Sequence, residues 1–152
     1  NRIYQVPVPK KADVIFTSCG GFPKDISLYQ GTKTIDNVES GLKPGGTLVL
    51  FMEARDGGGP AEYFDWIRDW TAGTLEARLR SAFTVAGYIF FLNCEQAQRY
   101  RIVLYSSIDP ALVAPMGIRA VSSIEALQKE LDLAGKEIYV IPNGSTAIPV
   151  VQ

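Results

Sequence analysis

The feature that most constrains what this chain can fold into is a repeated change of hydrophobic period. Short continuous apolar runs alternate with longer stretches in which apolar residues recur at helical spacing. A run that is apolar without alternation suits a strand covered on both faces, and strands separated by helices join in parallel through right-handed crossovers. The runs Asp13–Thr17, Thr47–Met52, Arg101–Tyr105 and Glu137–Pro142, with a shorter one at Ile118–Ala120, predict an α/β domain. Its expected form is a three-layer sandwich on a mainly parallel sheet of about four or five strands.

The intervening stretches carry their own punctuation. Asp25, just after Pro23, is an N-cap candidate for a helix to about Leu42 with the core stripe Leu28, Ile35, Val38 and Leu42; Lys43-Pro44-Gly45-Gly46 stops it. Pro60 suits the first position of a helix with Tyr63, Ile67 and Trp70 on its apolar face and Trp66 beside them. Thr74 caps a short helix through Arg80, a buried helix covers Val85 to about Gln98, and Asp109-Pro110 opens a brief helical turn. Ser122 with Glu125 forms a capping box for a helix to Leu133. This succession of strand, helix and strand is Rossmann-like. Val6-Pro7-Val8-Pro9 is extended, because proline disfavours helix in the residue before it. Residues 1–12 therefore read as a linker leading into one α/β domain over 13–152, cut out of a longer protein.

Composition narrows the partners and the chemistry. Fifteen Lys and Arg against sixteen Asp and Glu leave no basic excess for nucleic acid or an anionic membrane. The most apolar stretch, Val85–Cys94, is interrupted by Gly87 and Asn93 and is shorter than the ~18 to 20 residues that cross a bilayer. Cys19 and Cys94 form no CxxC pair, and no secretory leader opens the sequence, so a cytoplasmic protein is expected. Histidine is absent, which removes the commonest general base and the commonest imidazole metal ligand together.

A doubly wound sheet binds ligands outside the carboxyl ends of its strands, so the loops after Thr17, Met52, Tyr105 and Ile141 are expected to line any site. Gly20-Gly21 follows the first run without the G-x-G-x-x-G spacing of a dinucleotide site, and a tight strand-to-helix turn is the plainer explanation. Gly57, Gly58 and Gly59 form a bare backbone at a strand's carboxyl end, suited either to close approach of a ligand or domain or to a mobile turn. Arg55 and Asp56 beside them either bind substrate or pair with each other. Tyr29 and Lys33, four residues apart, share a helix face, with Gln30 turned about 100° from Tyr29. Together they could present a hydroxyl, an amide and an ammonium to a small anion, although spacing alone favours a solvated face with Lys33 paired to Asp36 or Asn37. Cys19 lacks a histidine to activate it and reads as a small buried residue, as does Cys94.

The stretch Asp13-Val14-Ile15-Phe16-Thr17-Ser18-Cys19-Gly20-Gly21-Phe22-Pro23-Lys24-Asp25, continuing through Leu28-Tyr29-Gln30-Gly31-Thr32-Lys33, resembles the C-terminal domain of the nickel-dependent lactate racemase (LarA-like) family. There a strand ends in a GG-aromatic-P-x-D turn and a YQxxK helix start follows. The KPGG segment, Asp56-Gly57-Gly58-Gly59 and Val140-Ile141-Pro142-Asn143-Gly144 keep the family order, whereas Phe83 to Tyr100 does not align. In that family two α/β domains close over a nickel pincer nucleotide joined to a lysine of the N-terminal domain. Two histidines of that domain move the proton, the pincer carbon takes and returns the hydride, and the C-terminal domain supplies substrate-facing Tyr, Gln and Lys.

The resemblance thus implies that Tyr29, Gln30 and Lys33 bind substrate and that Gly20, Gly21, Gly57, Gly58 and Gly59 belong to cleft loops. It places the cofactor ligands and catalytic histidines outside this chain, in keeping with its lack of histidine. Phe22 stands where the family often has Tyr, and Ser18-Cys19 replaces Thr-Asn, so the substrate is a 2-hydroxy acid that need not be lactate. The chain is expected to be the substrate-capping domain of a 2-hydroxy-acid racemase or epimerase, partnered by an N-terminal domain, inactive alone and holding no nickel by itself. The competing expectation is a non-catalytic Rossmann-like ligand-binding or regulatory module.

Overall fold

The computed structural model describes residues 4–152, so Asn1–Ile3 of the lead-in lie outside the described residues. Its strands are β1 (Gln5–Val8), β2 (Ala12–Ser18), β3 (Leu42–Phe51), β4 (Arg101–Tyr105), β5 (Arg119–Val121), β6 (Ile138–Ile141) and β7 (Ile148–Val151). Five of them form one sheet in the order β5-β4-β3-β2-β6, parallel throughout, with Phe16 opposite both Val49 and Val140 and Val49 opposite Val103. The continuous apolar runs follow from burial on both faces. Ile15, Leu48, Leu50, Ile102 and Leu104 join the larger core, while Val49, Val103 and Val121 face the opposite way into a smaller one with Leu127.

The helices are α1 (Leu28–Gly31), α2 (Lys33–Val38), α3 (Ile67–Thr71), α4 (Leu75–Ser81), α5 (Val85–Arg99), α6 (Pro110–Val113) and α7 (Ile124–Lys129). Asp109 and Ser123 cap α6 and α7, accepting from Ala111 N and Ala126 N. Thr84 caps α5 through Gly87 N at 3.0 Å. Of the expected lead-in, Gln5–Val8 is extended and pairs with β7 in a separate two-stranded parallel sheet, a partner the apolar periodicity did not single out.

Several boundaries differ from the sequence reading. The helix expected from Asp25 to Leu42 begins at Leu28, breaks at Thr32, tightens into a 3-10 turn at Glu39–Gly41 and ends before Leu42, which is already in β3. Asp25 does not cap it: the position before α1 is Ser27, and the Asp25 carboxylate accepts from Glu53 N at 3.4 Å instead. The expected stop, Lys43-Pro44-Gly45-Gly46, is a bulge inside β3: Ala12 pairs with Leu42, but Val14 already pairs with Thr47. Pro60 opens turns rather than a helix, and a 3-10 segment over Tyr63–Trp66 precedes α3. The cap of α7 is Ser123, not Ser122, and the helix stops at Lys129 rather than Leu133, since Glu130 is drawn to Arg101 and Arg119. The α5 helix is buried along one face only, leaving Val85 and Tyr88 exposed.

Candidate functional site

Parallel strands deliver all their following loops to one end of the sheet, and a backbone ladder locks the first two together there. Ala54 N and Asp56 N donate to the carbonyls of Asp25 and Ile26, each at 2.8 Å. Leu28 N and Tyr29 N then donate to the carbonyls of Gly57 and Gly58 at 2.9 and 3.2 Å. The glycine loop therefore holds the amino end of α1, where helix N–H groups have no partner within the helix. Gly20 and Gly21, both at positive φ, turn the chain at the same end, just after β2. The bare backbone is a packing requirement: a Cβ on Gly59 would stand 2.7 Å from Ser27 Oγ and 3.4 Å from Tyr29 Cβ.

On the segment so held, Tyr29, Gln30 and Lys33 come together. The Lys33 ammonium lies 4.4 Å from the centroid of the Tyr29 ring and donates to Gln30 Oε1 at 3.0 Å. Neither partner proposed from spacing takes Lys33. Asp36 accepts from Gln96, and Asn37 donates to the Gly144 and Ser145 carbonyls at 3.1 Å each. With its carbonyl turned to the ammonium, Gln30 directs its NH2 donors elsewhere, and Lys33 and Gln30 are both exposed. The arrangement can offer ammonium and amide donors to an anion over an aromatic face.

Beside this face, Arg55 stacks over the exposed Phe22 ring at 5.3 Å and stands 3.9 Å from Asp56, so ring contact and ion pair coexist. A cleft of about 430 Å³ opens outside the carboxyl ends of β2 to β5, lined among others by Ser18, Asp25, Phe51, Glu53, Tyr105 and Ser107. Ser107 Oγ donates to Glu53 Oε1 at 2.9 Å, and the rings of Phe51 and Tyr105 lie 5.3 Å apart. The Tyr29-Gln30-Lys33 face is not part of the lining. Of its lining, Asp25 closes the GG-aromatic-P-x-D turn, whereas the aromatic pair and Glu53 carried no motif in the sequence.

Among the described residues no three His, Cys, Asp or Glu side chains gather. Both cysteines are buried, and burial pushes their thiols up from the ordinary range, with Cys19 donating to the Gly31 carbonyl at 3.4 Å. No helix among the described residues is long and apolar enough to cross a membrane.

Fold and site together define a parallel α/β domain that presents an ammonium, a carboxamide and a phenol from a glycine-braced helix start. Residues 8–149 match the family model of the lactate racemase C-terminal domain, and the chain belongs to that family. It is 33% identical over 143 residues to the lactate racemase of Lactiplantibacillus plantarum, covering 87% of this chain and 33% of that protein. It is 35% identical over 60 residues to the lactate racemase of Thermoanaerobacterium thermosaccharolyticum, covering 40% of this chain and 14% of that one. The lactate racemase apoprotein structure from the latter organism shares the fold, with a TM-score of 0.82 at 23% identity over 97% of this chain and 37% of that chain. A Thermotoga maritima protein shares it more distantly, at TM-score 0.61 and 10% identity. The chain spans about a third, or less, of the length of the relatives it matches.

Proposed function

We propose that this chain is the substrate-capping domain of a 2-hydroxy-acid racemase or epimerase of the lactate racemase type. Tyr29, Gln30 and Lys33 face the substrate, and an N-terminal domain of the same polypeptide holds the cofactor. One observation carries the reading: the residues of the family's YQxxK motif converge on one exposed face, with Lys33 3.0 Å from Gln30 and 4.4 Å from the Tyr29 ring. Lys33 and the Gln30 amide hold the carboxylate and hydroxyl of the substrate, and Tyr29 supplies an apolar wall that strengthens both contacts as closure excludes water. Among the described residues no donors gather as a nickel site requires, and the sequence has no histidine to take a proton from carbon. On this reading the nickel pincer nucleotide, which would accept and return hydride when bound, is held by the N-terminal domain.

The competing reading as a binding or regulatory module is tested on the chain by itself. Under the proposal it racemises no lactate, retains no equimolar nickel after desalting and binds mononucleotides weakly. Retained nickel, turnover, or tight nucleotide binding in a calorimetric titration would contradict it.

A further inference from the structure

Where α5 packs on the 3-10 segment Tyr63–Trp66, a chain of buried polar side chains runs out to Asp36 of α2. Tyr63, Asn93 and Gln96 are all at least 97% buried. Tyr63 Oη donates to Asn93 Oδ1 at 2.7 Å, Asn93 Nδ2 to Gln96 Oε1 at 3.3 Å, and Gln96 Nε2 to Asp36 Oδ1 at 2.5 Å. The same Gln96 nitrogen lies 3.4 Å from Glu39 Oε2, and Arg99 stands 3.8 Å from that carboxylate. At the other end the chain stops at the Tyr63 phenol, while the Thr32 hydroxyl donates to the Leu28 carbonyl at 2.6 Å. The relay thus meets the helical segment at Asp36, one turn after Lys33.

Such a network is a costly way to fill a core. Apolar residues of the same volume would avoid the desolvation, so what it adds is a single permitted arrangement of the elements it joins. The short α2 has two side-chain anchors, Asn37 on the Gly144 and Ser145 carbonyls and Asp36 on Gln96. Only the second ties it to α5, and it lies one turn from the ammonium. Resting on the reading that Tyr29, Gln30 and Lys33 face substrate, we propose that Gln96 is a positioning residue. Through Asp36 it fixes the angle of α2 and so the reach of the Lys33 ammonium toward the substrate carboxylate.

The test uses the cofactor-loaded full-length polypeptide with lactate as probe and three variants: Gln96→Leu, Asp36→Ala at the solvent end of the relay, and Lys33→Ala. A misplaced ammonium weakens ground-state and transition-state binding alike, so the first two should raise KM about 5-fold with kcat within about 2-fold. Neither should add to the loss in a Lys33→Ala background, and amide exchange across residues 33–38 should quicken while β2 to β4 stay protected. A fall in kcat alone that tracks the folded fraction, or an unchanged KM where Lys33→Ala raises it, overturns the positioning role and leaves the site reading intact. If Lys33→Ala itself changes nothing, the site reading fails and the role of Gln96 falls with it. Should Gln96→Leu not fold, Asp36→Ala carries the same expectation, with Glu39 Oε2 at 3.4 Å left to accept from Gln96 Nε2.

Discussion

Gly59 shows how a single backbone position shapes the face that carries Tyr29. Its φ is +96°, and the space a Cβ would occupy is already filled by Ser27 and Tyr29. Gly59→Ala therefore suffers both a left-handed backbone and a steric clash, and should cost about 2 to 4 kcal/mol, lowering Tm by several degrees in a thermal melt. Gly21, at φ +77° with nothing within 4 Å of its would-be Cβ, suffers only the first, so Gly21→Ala should cost about 1 kcal/mol. Equal losses for the two would contradict the close approach of the glycine loop to α1. The glycines were visible in the sequence, but which were needed for conformation and which for space was not, because that depends on the chain lying opposite.

At the scale of elements, strands and helices differ in how much the sequence revealed. The strand cores are continuous apolar runs that need burial on two faces, and all five strands of the main sheet lie where those runs predicted, to within a residue or two except at the start of β3. The helix carrying Lys33 was drawn too long because its apolar stripe, Leu28, Ile35, Val38 and Leu42, is wholly buried whether or not the backbone is helical throughout. Its real limits are set by Gly57 and Gly58 at one end and by the early start of β3 at the other, both long-range contacts. Asn93 and Gln96, three residues apart on α5 and both buried, were the available sign of the buried relay.

That relay has a pH consequence. Burial pushes the Asp36 carboxyl above the ordinary carboxylate range, an effect only partly offset by the Gln96 hydrogen bond and by Arg99. A carboxyl whose pKa is higher folded than unfolded binds more protons in the native state across that interval, so its contribution to stability falls as pH rises from the ordinary range through the raised value. Asp36→Asn keeps an acceptor for Gln96 and removes the charge. Chemical denaturation at a series of pH values should show the variant gaining on the parent through that interval, with a flat difference below it; a difference that does not change with pH would contradict this.

At the scale of the whole molecule, the proposed reading makes the face built from Tyr29, Gln30 and Lys33 half of a site. It supplies donors and an aromatic wall, but none of the proton-transfer groups a racemase needs, and the chain covers about a third of the length of its Lactiplantibacillus plantarum relative. The motif residues could be named from the sequence by resemblance, yet periodicity and spacing alone favoured a solvated face. What the fold adds is the bond from Lys33 to Gln30 and its seat on the Tyr29 ring, in place of the expected pairing with Asp36 or Asn37. The measurement that tests this most directly is kcat/KM for the full-length enzyme with Lys33→Ala. A charge-assisted hydrogen bond in a closed cleft is worth about 1.5 to 3 kcal/mol, so kcat/KM should fall at least ~10-fold. The isolated domain should lose less than about 0.5 kcal/mol of stability, as expected for an exposed position. Unchanged kcat/KM in a folded variant would assign Lys33 to a solvated helix face and contradict the substrate-capping role.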